Sequence, residues 1–290
     1  MSVPPRSRRT GFPIEVHGAF RQLQGALARL RGKSSRPLPE AQAEGCITAA
    51  SYNVHKCVGM DKRFDPNRII GVIAELNADV LALQEADRRF GQRTGLFDVT
   101  ALEKRTGLTV LPVADTPGGH GWHGNALLVR EGRLLRLRRI DLPGAEPRGA
   151  LIAELMLPAG RIRVIATHLG LMRRHRAMQA ARLLAAIAEG DRSAHTPMPT
   201  LLMGDLNEWR PGVPSSLIAL EQVFGPLIGG APSFPSRLPF LALDRILGTP
   251  QGIVSSVEAH STPLARLASD HLPLKARIDL AAAQQAARAA

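Results

Sequence analysis

The residues best suited to chemistry stand in one short stretch, Leu201-Leu202-Met203-Gly204-Asp205-Leu206-Asn207. Three apolar residues run into a glycine, and two polar side chains follow two positions apart. A buried strand that breaks at its tip has this pattern, and a period of two turns Asp205 and Asn207 to the same side. Gly204 permits a close backbone approach or a bend. A carboxylate beside an amide suits phosphoester hydrolysis: the carboxylate takes a proton from water or binds a metal, and the amide orients it. The same residues also suit a strand ending in an Asx turn, so the other polar positions must decide.

Apolar runs elsewhere in the chain finish on Asn53, Glu85, His168, Asp244, and Asp270 with His271. One such ending is ordinary, because strands must surface somewhere. A whole set with this chemistry is hard to explain as surface decoration. Carboxylates, amides and imidazoles, with no Ser or Cys nucleophile among them, point to a hard cation. Mg²⁺ prefers a few carboxylate oxygens plus water and substrate phosphate, whereas zinc would draw more His or Cys.

The elements that must position these groups follow from pattern. Strands are expected at 47–55, 78–85, 108–113, 124–130, 134–142, 150–157, 162–169, 201–207, 241–247, 253–259 and 272–278. Glu131-Gly132 and Pro158-Ala159-Gly160 are turn signals between neighbouring strands. Helices are expected at 66–76, capped by Asp65 with Pro66 in its first turn, and at 96–106, 175–188 and 215–222. Residues 226–239 form a Pro-rich passage. This order is not the strict strand–helix alternation of a doubly wound parallel fold.

A basic extension, residues 1–45, precedes the domain proper at 46–280, and an alanine-rich tail closes the chain at 281–290. The extension holds eight Lys/Arg against three Asp/Glu. Within it, 14–31 has apolar residues spaced for a helix with arginines off that face. This suits a helix packed on the domain or a second subunit, with a peripheral membrane or nucleic-acid contact as the alternative.

The chain is 290 residues long with a net charge of +12, which favours polyanionic partners: nucleic acid, an anionic lipid surface or a phosphorylated small molecule. Aromatic residues make up only 4%, so the core is aliphatic. Two cysteines, Cys46 and Cys57, give neither a disulfide framework nor a zinc pattern and fit a reducing compartment. No apolar run is long enough for a transmembrane helix, and no secretory leader pattern stands at the N-terminus. The expected location is cytoplasmic.

The chain resembles the endonuclease/exonuclease/phosphatase superfamily, which includes deoxyribonucleases, AP endonucleases, inositol-polyphosphate 5-phosphatases and neutral sphingomyelinases, and within it a small bacterial-type member. The matching stretches are Ser51-Tyr52-Asn53-Val54-His55, Ala82-Leu83-Gln84-Glu85, Ala166-Thr167-His168-Leu169, Gly204-Asp205-Leu206-Asn207, Leu243-Asp244-Arg245-Ile246 and Ser269-Asp270-His271-Leu272. The resemblance implies an α/β fold, a four-layer sandwich of two mixed, mainly antiparallel sheets packed face to face with helices outside. It implies Glu85 as the main Mg²⁺ ligand (Mn²⁺ as substitute), with Asn53 beside it and Asp270 as a further metal or water contact. It implies Asp205 as the group that activates water, Asn207 as its support, Asp244 and His271 as a carboxylate–imidazole pair, and His168 as the second histidine. Asn125 in Gly124-Asn125-Ala126 resembles another polar site position. His55, Lys56 and Asp61 are placed to line the same mouth, and Arg148 is a candidate phosphate contact. A turn at Asn125 and a solvated Arg148 are the plain alternatives.

Departures bear on substrate. AP endonucleases carry a Tyr and an Asn where this chain has Thr167-His168. Asp87, followed by Arg88 and Arg89, stands where deoxyribonucleases place a DNA-gripping Arg. Leu241 and Ala242 stand where inositol phosphatases have aromatics. The expected activity is Mg-dependent hydrolysis of a phosphodiester, in nucleic acid or phospholipid, by direct attack of water. The alternatives are a phosphomonoesterase acting on a small metabolite or inositol phosphate, and a non-catalytic binding module.

Overall fold

The computed structural model describes residues 45–283 apart from 89–92, 193–197, 211–214 and 228–229. The expected extension with its 14–31 helix, and most of the C-terminal tail, lie outside the described residues.

Among the described residues, eleven strands form two sheets. The first has the order β10-β11-β1-β2-β4-β3, from Val254–Ala259, Leu274–Asp279, Cys46–Asn53, Val80–Gln84, Ala126–Val129 and Thr109–Val110. The second runs β5-β6-β7-β8-β9, from Arg133–Leu142, Arg148–Leu157, Gly160–His168, Thr200–Asp205 and Asp244–Thr249. Each sheet is antiparallel except for one central parallel pair, β1 with β2 and β7 with β8. Each parallel pair needs a crossover, and a helix supplies it: α1 (Pro66–Leu76) after β1 and α3 (Arg173–Arg192) after β7.

The central strands are apolar on both sides because both faces are covered. Ala49, Val80, Ala82 and Leu127 of the first sheet meet Leu151, Ala153, Val164, Ala166, Leu201 and Met203 of the second. The alternate residues of the first sheet, Ala50, Tyr52, Leu81 and Leu83, pack under α1 with Leu102 of α2 (Val99–Thr106) and Ala265 and Ala268 of α5 (Pro263–Ala268). On the far side, Ile152, Ile165 and Leu202 pack under Ala180, Leu183 and Ile187 of α3 and Phe224 of the short α4 (Glu221–Phe224). The result is helix, sheet, sheet, helix, as expected.

Local signals set the helix ends. Asp65 accepts the Arg68 N–H at 3.1 Å with Pro66 in the first turn, and Asn77 ends α1 in a left-handed conformation. Asp98 caps α2 through Ala101 N at 3.0 Å, so this helix starts later than 96.

Several elements are shorter than their patterns, three of them for local reasons. The strand expected at 108–113 is reduced to Thr109–Val110 with one further bond from the Leu111 N–H to the Leu127 carbonyl at 2.9 Å, because Pro112 has no N–H to donate. The helix expected at 215–222 is a 3-10 turn, Ile218–Leu220, running into α4 and stopped at Gly225. The strand expected at 241–247 begins at Asp244; Leu241 instead bridges to Phe234.

Candidate active site

Strand register brings the polar endings together. Asn53 of β1 is in register with Gln84 of β2, so Glu85 follows beside it. In the second sheet His168, Asp205 and Asp244 form one row across β7, β8 and β9. The C-terminal ends of both parallel pairs thus share an edge, where ligands of open α/β sheets bind.

Gly204 holds this row together. Its φ is +151°, and a Cβ there would lie 1.8 Å from the Thr167 carbonyl oxygen. Only glycine allows β7 and β8 to approach this closely.

Asp205 is 2% exposed and is gripped from several sides. Asn207 donates its backbone N–H to Oδ1 at 3.0 Å, and Asn53 donates Nδ2 to Oδ2 at 3.0 Å. His168 Nε2 lies 3.4 Å and His271 Nε2 3.7 Å from Oδ2. Asn207 adopts a left-handed backbone (φ 52°), which Asn tolerates, and its side chain donates to the Leu169 carbonyl at 2.9 Å while lying 3.2 Å from His168 Nε2.

The two imidazoles carry different charges. Burial drives the His168 pKa down to about 3, against the pull of Asp205, so the ring is neutral at pH 7. Burial also opposes charging of His271, but Asp244 and Asp205 outweigh it and raise the pKa to about 10. His271 is therefore an imidazolium that donates Nδ1–H to Asp244 Oδ2 at 2.8 Å. Ser233 donates to the same oxygen, and the Phe234 ring packs 4.9 Å from the imidazole. Opposed pKa shifts around one carboxylate divide acid from base roles.

Glu85 takes a left-handed conformation (φ 54°) as the chain leaves β2, and its carboxylate meets the Lys56 ammonium. Asp270 lies beyond, with its Oδ1 3.4 Å from the donating Ser269 Oγ and 3.8 Å from His55 Nδ1. The His55 ring also reaches the Val58 carbonyl at 2.9 Å, and it does not line the cleft beside Glu85. That cleft is lined by Lys56, Glu85, Asp87, Arg93, His123, Arg148 and His168.

Arg148 is 9% exposed and bonds Glu146 through Nη2 at 2.7 Å, while its buried Nε has no partner. Asn125 is fully buried; its amide N–H groups hold the carbonyls of Trp122 and Gly149, and its Oδ1 is unpartnered. His123 Nδ1 is a further unpartnered atom at this cleft. Buried polar atoms left over in this way suit a bound polar group.

Sequence reasoning missed several of these contributors. Ser233 and Phe234 lie in the Pro-rich passage, which has no period to read. Asp87, already singled out by its position two residues after Glu85, pairs with Arg93 at 3.2 Å, and burial raises its pKa; the missed part is that this acid carries its own cation. Arg176 of α3, 3% exposed, joins Glu208 and Ser216 and caps the Gly170 and Leu171 carbonyls after β7. Its place among other arginines gave no signal.

Among the described residues, one donor set is drawn close enough together to hold a cation. Asp205, Asp244 and His271 have ligand atoms within 4.8 Å of one another. Asp244 and Asp205 raise the His271 pKa to about 10, so a cation there would compete with the ring's own proton. Glu85, Asn53 and Asp270 offer oxygens of the kind a hard cation takes, and the Lys56 ammonium at Glu85 shows that this carboxylate attracts positive charge.

The chain is 30% identical over 267 residues to the YbhP protein of Escherichia coli (strain K12), spanning 84% of this chain and all of that one. A conserved protein of Enterococcus faecalis V583 has the same fold, with a TM-score of 0.62 at 20% identity over 79% of this chain and 98% of that one. The mannosyl-6-phosphatase of Bacteroides thetaiotaomicron VPI-5482 superposes with a TM-score of 0.56 at 15% identity, over 79% and 98% respectively. Residues 50–271 match the sequence model of the Endonuclease/Exonuclease/phosphatase family, whose members use divalent metals on phosphoester bonds, and with the row His168–Asp205–Asp244 at its sheet edge the chain belongs to that family.

Proposed function

We propose that this protein is a metal-dependent phosphodiesterase in which water attacks phosphorus in line with the leaving oxygen and no covalent enzyme intermediate forms. The observation that carries it is Asp205, fixed by Asn53 and Asn207 between a neutral His168 and a cationic His271. Asp205 takes the proton of the attacking water as the new P–O bond forms. The His271 imidazolium, held charged by Asp244, stabilises the negative charge that gathers on the phosphoryl oxygens. His168 stays neutral, so it does not quench Asp205 in a fixed ion pair. Arg148 and Lys56 supply further positive charge to the phosphate. Glu85, Asn53 and Asp270 would hold Mg²⁺ or Mn²⁺, which supplies Lewis-acid neutralisation of the phosphoryl group.

A phosphomonoesterase is the second reading. Lys56, Arg93 and Arg148 converge on a small cleft, as a terminal dianionic phosphate requires, and the likeness to a mannosyl-6-phosphatase fits it. A silent binding module would be expected to lose a site carboxylate, and all of those expected are in place.

The test is hydrolysis of bis(p-nitrophenyl) phosphate and p-nitrophenyl phosphate, then of plasmid DNA, abasic oligonucleotides, RNA, inositol phosphates and phospholipids, with Mg²⁺ or Mn²⁺. Diester cleavage that Asp205→Ala and His271→Ala abolish supports the first reading. Monoester cleavage alone supports the second. No cleavage across the panel, or unimpaired variants, removes both.

A further inference from the structure

The loops around the site carry exposed apolar side chains that the chemistry does not use. Phe64 follows β1, Leu171 and Met172 follow β7, Trp209 follows β8, and Leu238 and Phe240 precede β9. These six are 47–68% exposed. They lie on loops at the edge that carries Asp205, because β1, β7 and β8 end there and β9 begins there. Large apolar groups gathered on one rim mark a docking surface.

Exposed basic residues sit next to them in sequence: Lys62 and Arg63 before Phe64, Arg173 and Arg174 after Met172, Arg210 after Trp209, and Arg237 before Leu238. Arg210 lies 5.6 Å from the centre of the Trp209 ring. The acid among them, Asp61, is already bonded to Arg68. The rim therefore alternates apolar tips with cations. An anionic phospholipid surface complements this arrangement: aliphatic and aromatic tips enter the headgroup–acyl boundary while arginines meet lipid phosphates. Single-stranded nucleic acid would use the aromatics and arginines but leave Leu171, Met172 and Leu238 without a role, because bases stack on rings.

We infer that this rim docks on an anionic phospholipid membrane and presents a lipid headgroup phosphoester to Asp205. The inference deepens the phosphodiesterase reading and rests on it for the substrate, but docking is tested separately. The membrane lies against the mouth of the cleft, so a headgroup enters without the lipid leaving the bilayer.

The experiment uses the full chain and sedimentation with vesicles of phosphatidylcholine alone or with one third phosphatidylglycerol. Binding is expected only to the anionic vesicles. Leu171→Ser, Met172→Ser and Phe240→Ser combined should weaken it at least about tenfold while leaving hydrolysis of bis(p-nitrophenyl) phosphate within about twofold. Asp205→Asn should bind vesicles like the unsubstituted protein while its hydrolysis falls at least about a hundredfold. A rim variant that still sediments with anionic vesicles overturns the inference, and so does equal binding to neutral vesicles. A single-stranded oligonucleotide bound through these residues in place of vesicles overturns it as well. Vesicle binding by the rim with no phosphoester hydrolysis would instead remove the phosphodiesterase reading and leave the docking surface.

Discussion

Asn53 and Asp205, 152 residues apart in the chain, meet by a 3.0 Å hydrogen bond from the amide of one to the carboxylate of the other. The bond joins the tip of a central strand in the first sheet to the tip of a central strand in the second. The relative position of the sheets is therefore written into the orientation of the proposed base. Asp205→Asn should lower kcat by about 10²–10⁴, the usual worth of a general base, with little change in unfolding temperature. Asn53→Ala should lower kcat about 10–100-fold by freeing the carboxylate. Steady-state kinetics alongside a thermal melt checks both; an unchanged kcat in Asp205→Asn would assign the base elsewhere.

Gly204→Ala should act on the fold before the chemistry. The new methyl would overlap the Thr167 carbonyl at 1.8 Å, and backbone cannot yield as a flexible side chain does. β7 and β8 would have to part within the doubly covered sheet. A loss of about 3 kcal/mol or more is expected, read as a lowered urea midpoint or as insoluble protein. A stability within about 0.5 kcal/mol of the parent would mean that the strands separate at little cost.

Much of this was legible because chemistry and architecture share positions. The edge residues of the central strands must be polar where the strand surfaces, so Asn53, Glu85, His168 and Asp205 announced strand ends and the candidate site together. Asp65, Pro66 and Asp98 marked helix starts by local chemistry. What was not legible depends on partners far apart in sequence. Lys56 was placed at the mouth but not on Glu85. Arg176 looked like one more arginine of a basic helix, yet it is buried against Glu208. His55 looked like a mouth residue by proximity, and its ring reaches a carbonyl of its own loop. Pro112 shortened a strand that its apolar neighbours had lengthened on paper.

The Glu208 network predicts a pH dependence of stability. Burial alone would raise this carboxyl, but hydrogen bonds from Ser216 and the Arg210 backbone, with the Arg176 charge, bring it down to about 2. Arg245 also reaches the Glu208 carbonyl, at 3.5 Å. The folded pKa lies below the ordinary 4.5, so the folded state releases the proton more readily. Its contribution is complete above about pH 4.5 and is lost as the pH falls toward 2. Glu208→Gln should flatten the dependence of unfolding free energy on pH in that window by up to one proton. Urea titrations between pH 7 and pH 2.5 measure it; parallel curves for parent and variant would show that Glu208 adds nothing to linkage.

The divalent cation can be located by competition. Lys56 and Glu85 form an ion pair at a half-open position, and an ammonium and a metal cannot both take the same carboxylate oxygen. Activity should vanish with EDTA and return with Mg²⁺ or Mn²⁺. Glu85→Gln should raise the half-activating metal concentration at least about tenfold. Lys56→Met should lower that concentration by removing the rival cation, while raising KM through loss of a phosphate contact. The competing location, Asp205 with Asp244 and His271, predicts otherwise. There Lys56→Met would leave the metal requirement unchanged, and Asp244→Asn would raise it as much as Glu85→Gln does. Calorimetric titration of metal into the three variants reads the affinities without turnover. Metal binding that Glu85→Gln weakens and Asp244→Asn does not would place the ion at the tip of β2, beside the water that Asp205 deprotonates.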